Sequence, residues 1–285
     1  MRFGTIGIED AEGAILAHAV TTEERTWRKA TILGGDDIAA LKAAGVTQVV
    51  AAILDPGDLD ENEAAARIAA RFAAPGIEIR APGTGRVNLH ALDAGLFTVD
   101  RAVIDAINAI DPAITVATLA DFSTVDAGRM LATVKIIPFA VNEALVEQAA
   151  AVAAKGGILA LHTFQPRRVG LIQTMLPTVK ASVLDKTARL TTERLARSGS
   201  LVTGEARTAH AEADVAAAIA DAAKDSDMVI VFGASAVSDP GDVIPAAIER
   251  ACGTVERVGM PVDPGNLLVI GSLDGRTVIG APGCA

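Results

Sequence analysis

The feature that most constrains this chain is an alternation that begins near residue 166. Apolar, β-branched runs and helix-forming runs follow one another there. VGLIQT (169–174) is followed by a loop and a helical stretch from about Val183 to Arg197. Extended SLVTGEA leads to a helical stretch from Ala211 to Ala223, and MVIVF (228–232) to a helix ending near Ala251. Extended TVERVG and the paired runs LLVIGSL and RTVIGA close the chain. Strands alternating with helices predict βαβ units and a parallel sheet between helical layers. Asp274-Gly275 between two apolar runs predicts a hairpin with a type I′ turn. In such sheets ligands sit outside the carboxyl ends of the strands. The loops after Thr174 and Phe232 lie at those ends.

The first half is more mixed. It opens on short extended pieces and turns, then reads as a helix over 36–44 and a buried strand over 47–54. Asp60 and Glu63 form a capping-box pattern before an Ala-rich helix to about Ala73. Helices are also expected over 99–110 and over 143–155, the second capped by Asn142. GIEIRA, ITVATL, MLATVKIIPFAV and GILALHTF (157–164) read as extended. A domain boundary near Pro166 gives regions 1–165 and 166–285. The expected class is α/β: a three-layer parallel or mixed sheet at the C-terminal side, preceded by a smaller α/β or α+β domain.

Composition narrows the function. Hydrophobic residues make up 51% of the 285 positions, which excludes global disorder. Aromatic residues are 3%, with seven Phe, one Trp and no Tyr, and the net charge is −10. Stacking platforms in a basic channel are therefore not available, and no nucleic-acid partner is expected. Two cysteines with no ligand spacing argue against structural zinc and against a disulfide framework. No basic segment followed by an apolar run opens the chain, and no apolar run is long enough to span a membrane. A cytoplasmic location without membrane attachment is expected.

The segment richest in chemistry is MVIVFGASAVSDPGDVIP (228–245). A buried strand runs into Gly233, Ala234 and Ser235, whose small side chains let a ligand approach the backbone. Amides in a loop and at a helix start bind anions, and Ser235 and Ser238 add hydroxyls. Asp239 and Asp242 are candidates for catalysis or for holding Mg²⁺. The plainer alternative is that Asp242 is an N-cap and Ser-Asp-Pro-Gly a turn. Between Arg167 and Arg197 seven basic residues face only Asp185 and Glu193. Such a loop-helix suits a phosphate-bearing ligand, with Lys180 and Lys186 nearest the strand ends; a solvated helix face is the alternative. His162 reads as a core or interface residue. His210, just before a helix, is an acid/base candidate, and the carboxylates from Asp58 to Glu63 read as a helix N-terminus.

FGASAVSDPGDVIPAAIERA followed by VERVGMPVDPGNLLVIGSLDGRTVIGAPG resembles the molybdopterin-binding domain of molybdopterin adenylyltransferases and molybdotransferases. Leu171 to Thr174 resembles that family's first strand, Asp185-Lys186-Thr187 its Asp-x-Asn element, and residues 32–54 a segment of the molybdotransferase. The resemblance implies a cytoplasmic, homo-oligomeric protein of molybdenum-cofactor biosynthesis with molybdopterin as ligand or substrate. ATP or molybdate, Mg²⁺ and transferase activity are implied with it. It implies that Gly233, Ala234, Ser235 and Ser238 line the pterin and phosphate site, with Thr174, Asp185, Lys186 and Thr187 facing it. Pro264-Gly265 and Pro282-Gly283 would be flanking turns, and Asp239 and Asp242 the catalytic and metal-binding acids. The sequence departs from the family at several points. Ala234 replaces a glycine, and Thr174-Met175-Leu176-Pro177 stands where the family has Thr-Gly-Asp-Glu. Asp263 replaces a lysine, and the family's central acid falls near His210, with Glu212 or Asp214 as substitutes. Family members continue beyond the last turn, which implies a tail. A non-catalytic binding or delivery module is the alternative these departures favour. An α/β enzyme acting on a nucleotide or sugar phosphate is the third reading, weakened by the lack of a P-loop or a Gly-x-Gly-x-x-Gly opening.

Overall fold

The computed structural model describes residues 1–154 and 156–282. The chain divides into two compact units, Met1–Thr163 and Phe164–Ala285. The N-terminal unit is the longer.

Among its described residues the N-terminal unit is built from short antiparallel sheets and four α-helices. Arg2–Gly7, Gln48–Ile53 and Ile15–Leu16 form one three-stranded sheet, and the helix Gly35–Ala43 packs nearby over a core containing Leu16, Leu33, Leu41 and Trp27. A second core, with Ile68, Phe72, Leu89 and Phe97, gathers a four-stranded sheet, a three-stranded sheet and three helices. The helix Glu61–Ala69 starts where the sequence places it: the Asp60 side chain accepts from the amides of Asn62 and Glu63. Asn142 likewise caps Glu143–Ala153 through Ala144 N.

Trp27, the sole tryptophan, is 2% exposed and donates its indole N–H to Asp37 Oδ1 at 2.8 Å. That bond, the Gly34 amide and the Arg25 guanidinium hold the Asp37 carboxyl below its ordinary value. A depressed carboxyl stabilises the fold above its unfolded pKa, about 3.9, and the contribution disappears as pH falls through the folded value. Wild type is therefore expected to outlast Asp37→Asn above about pH 4, with the two converging in stronger acid. Trp27 emission during urea titration at each pH checks this. A constant difference down to low pH would refute it.

The C-terminal unit is a three-layer α/β domain. Among its described residues six strands lie in the order Leu201–Ala209, Arg168–Met175, Met228–Gly233, Arg276–Pro282, Val269–Leu273, Thr254–Val258. The first four are parallel, and Val269–Leu273 runs antiparallel to both of its neighbours. Arg168–Met175 is buried from Val169 to Thr174, as a central strand of a parallel sheet must be. Leu201–Ala209 is an edge strand, and none of its residues is fully buried. Successive residues on the inner strands feed opposite faces. Ile172, Val229 and Val231 pack with Val215, Ile219, Ile244 and Ile248 from the helices Glu212–Ala222 and Val243–Arg250. Leu171 and Phe232 pack on the other face with Ala188 from the helix Ala181–Ala196. At Gly170 an added Cβ would lie 2.9 Å from Ala222 Cβ, so the helix seats this closely only on a glycine. The hairpin turn has Asp274 at φ 49° and Gly275 at φ 76°, the two positive values a type I′ turn requires.

Candidate functional site

The strand order places a switch point in the C-terminal sheet. The chain leaves Arg168–Met175 toward one edge and returns to build Met228–Gly233 on the other side. Loops diverge there and leave a crevice at the carboxyl ends of the two strands. Pairing of Met175 with Ala209, Gln173 with Phe232 and Gly233 with Pro282 brings four strand ends to this edge. The 259–268 loop reaches the same edge, because Val258 pairs with Val269 and Val269 with Gly280. The Asp274-Gly275 turn lies at the opposite end.

Thr174 is the node of this edge. Its side chain is 1% exposed, its Oγ1 accepts the Ala234 amide at 2.7 Å, and His210 Nδ1 lies 2.9 Å away. One hydroxyl thus ties together the ends of three parallel strands. Its neighbour Gln173, also 1% exposed, donates Nε2 to Leu184 O and to Glu205 Oε1, both at 2.9 Å. Glu205 in turn accepts from Arg207 Nε, and Asp185 from Arg207 Nη2 at 2.6 Å. The two carboxylates, Glu205 first, raise the Arg207 pKa and keep it charged.

The residues named from sequence divide accordingly. Thr174, Gly233, Ala234 and Pro282 meet at the crevice. Gly233 serves close packing: a Cβ there would meet Ser235 O at 2.8 Å and Ile244 Cδ1 at 2.9 Å, so the loop folds back on itself. Ser235 and Ser238 are exposed in that loop. Pro264 and Gly265 lie in the 259–268 loop, which is closed by Met260 N on Asn266 O at 2.9 Å. Asp185 is drawn to Arg207. Lys186 is exposed and Thr187 half-buried on the same helix. Asp242 caps Val243–Arg250, Oδ1 accepting from Val243 N at 2.7 Å and Oδ2 from Ser238 N at 3.1 Å. Asp239 Oδ1 accepts from Gly241 N at 2.8 Å in a turn. Among the described residues no group of three or more His, Cys, Asp or Glu side chains is placed to hold a metal. Gly283 lies outside the described residues. His162 is exposed, with Nε2 3.2 Å from Thr98 Oγ1.

The contact between His210 and Thr174 was not read from sequence. Thr174 ends a predicted strand, but the extended run SLVTGEA stops at Ala206 and His210 reads only as preceding a helix. The observed strand continues to Ala209, and parallel pairing then brings His210 beside Thr174. The chain's choice of neighbour for each strand decides it, and that choice is not local.

The start of Ala181–Ala196 is the electropositive part of this edge. Its N-cap, Lys180, makes no side-chain capping bond, and its first turn carries no acid. The helix Glu212–Ala222 begins instead with Glu212 and Asp214. Glu193, one of the two opposing acids, is taken by Arg189 at 2.9 Å, and Asp185 by Arg207. Among the described residues neither Lys180 nor Lys186 makes an ion pair. Amides at an open helix start, with two lysines near, favour an anion.

Comparison with known proteins gives little beyond this. Residues 5–53 match a family described as a domain of unknown function (DUF8806). No curated protein matches the chain. Among solved structures, the CinA protein of unknown function from Thermoplasma acidophilum is 13% identical, with a TM-score of 0.35, over 41% of this chain and 89% of its own. A molybdopterin biosynthesis MoeA protein from Pyrococcus horikosii is 16% identical, with a TM-score of 0.31, over 79% of this chain and 74% of its own. A molybdenum cofactor biosynthesis protein from Pyrococcus furiosus is 12% identical, with a TM-score of 0.27, over 99% of this chain and 57% of its own. Superpositions this loose define no activity. No helix among the described residues is long and apolar enough to cross a membrane.

Proposed function

We propose that the C-terminal unit binds a molybdopterin-type ligand, a pterin bearing a phosphate, and serves molybdenum-cofactor biosynthesis in the cytoplasm. The observation that carries this reading is the switch point between Arg168–Met175 and Met228–Gly233, flanked by the open start of Ala181–Ala196. The phosphate lies toward Lys180, Lys186 and the first-turn amides. The pterin lies over the Ala234–Ser235 bend, where the side chains are small.

Asp239 and Asp242 favour binding or delivery over metal-assisted transfer. Both oxygens of Asp242 are committed to backbone amides, and Oδ1 of Asp239 to a third. A resident Mg²⁺ would have to displace bonds that hold the loop and the helix start. No transfer step is therefore routed through these acids.

The test is titration of the purified full chain with molybdopterin, followed by pterin fluorescence, with mass spectrometry of whatever leaves the denatured protein. Ser235→Trp fills an exposed bend and is expected to abolish binding while the melting temperature holds. Lys186→Glu is expected to weaken binding several-fold at low salt and less at high salt, because exposed charges are screened. Binding that survives Ser235→Trp would remove the bend from the site. Turnover with Mg-ATP or molybdate would replace the binding reading with a transferase.

A further inference from the structure

The N-terminal unit contains a cavity of about 700 Å³ that the reading above does not use. Lys29, Arg86 and Lys135 line it, together with Glu61, Phe139 and Ile137. We propose that this cavity binds a small molecule composed of a planar ring and a phosphomonoester. The phosphate is held by Lys29, Arg86 and Lys135, and the ring lies against Phe139 and Ile137.

Charge comes first. Three side-chain cations and one carboxylate leave a local excess of about two positive charges, the Met1 ammonium that also lines the cavity being paired with Asp55 and Asp58, and this matches a phosphomonoester near −2 at neutral pH. Lys135 Nζ is positioned by a bond to Thr84 O at 2.7 Å, with Glu61 Oε2 at 3.8 Å. Among the described residues Lys29 and Arg86 make no ion pair. Clustered cations repel one another, and an anion relieves that cost.

The apolar side is equally specific. The chain has seven phenylalanines, and two of them, Phe3 and Phe139, stack here at 6.3 Å and 15°. Lys29 Nζ lies 5.7 Å from the Phe139 ring centroid. Phe3 and Ile137 are each 58% exposed, so the cavity presents apolar surface that water covers poorly.

Backbone strain points the same way. Five described non-glycine residues have positive φ, and two of them, Ala30 at 65° and Thr84 at 49°, line this cavity. Such conformations cost energy and gather where a ligand is clamped. The Thr84 turn is also packed tightly. A Cβ on Gly85 would lie 2.7 Å from Glu61 Oε2 and 2.9 Å from Ile136 O.

Isothermal titration of the full chain with AMP, adenosine and inorganic phosphate tests the proposal. AMP is expected to bind at least about ten-fold more tightly than either half, since ring and phosphate contacts combine in one ligand. Arg86→Glu and Lys29→Glu should each weaken AMP about ten-fold or more, and Glu61→Gln should tighten it. Trp27 emission reports folding, and Arg86→Gln and Lys29→Gln serve if a charge reversal fails to fold. Ser235→Trp should leave AMP affinity unchanged, because this site does not rest on the C-terminal reading. The proposal is overturned if AMP does not bind, if adenosine binds as tightly, or if neither charge change alters affinity. Loss of AMP binding in Ser235→Trp would overturn it too, by placing AMP in the C-terminal unit.

Discussion

Phe97→Ala is expected to destabilise the N-terminal unit by about 3–5 kcal/mol. Phe97 is fully buried in the middle of Gly95–Val99, opposite Ser123 on one neighbour and Leu161 on the other. Its ring belongs to the core that also holds Phe72, Leu89 and Ile107. Truncation removes the transfer energy of the ring and leaves a cavity that two flanking strands prevent from closing. Phe97→Leu keeps most of the volume and should cost less than about half as much. Urea denaturation separates the outcomes. A midpoint shift for Phe97→Ala no larger than that for Phe97→Leu would mean that the site collapses freely, against the packing described.

Thr174→Val should have the second-largest effect, and it acts on function as well. Valine keeps the shape and removes the hydroxyl. The Ala234 amide and His210 Nδ1 then lose their common partner at a position 1% exposed. A lost buried partner costs about 1–3 kcal/mol. The bend after Gly233 is fixed by that bond, so pterin binding is expected to fall at least about ten-fold, beyond what the lost stability explains. Thr174→Ser restores the hydroxyl and should recover most of the affinity. The His210 ring resonances should move in Thr174→Val and return in Thr174→Ser. Unchanged resonances would show that Thr174 and His210 are independent in solution.

Much of the C-terminal fold was legible because its signals are local. An unbroken apolar run such as MVIVF satisfies a strand buried on both faces, and Asp274-Gly275 tolerates the positive φ values its turn demands. The N-terminal unit was less legible. Arg86–Ala91 and Gly95–Val99 were not read as strands, since polar residues interrupt one and a glycine opens the other. MLATVKIIPFAV read as one extended run, yet it divides into Met130–Ile136 and Ala140–Asn142, paired in different sheets. Pro138 lacks the amide a continuous ladder needs.

The candidate site shows the same division. Asp242 as an N-cap and Asp239 in a turn follow from short-range chemistry, and the sequence offered that alternative. The cavity lined by Lys29, Arg86 and Lys135 was invisible, because its three cations come from distant segments and none carries a motif.

Sequence alone determined which segments are strands and which are helices in the C-terminal unit, where most helices start, and which turn closes the last hairpin. Periodicity, caps and φ preferences act within a few residues. Only the tertiary structure decided that Arg168–Met175 lies between Leu201–Ala209 and Met228–Gly233. That order joins Thr174 to His210, 36 residues away, and to Ala234, 60 residues away. Strand order is set by how helices cross over the sheet to bury both faces, and no local pattern records it.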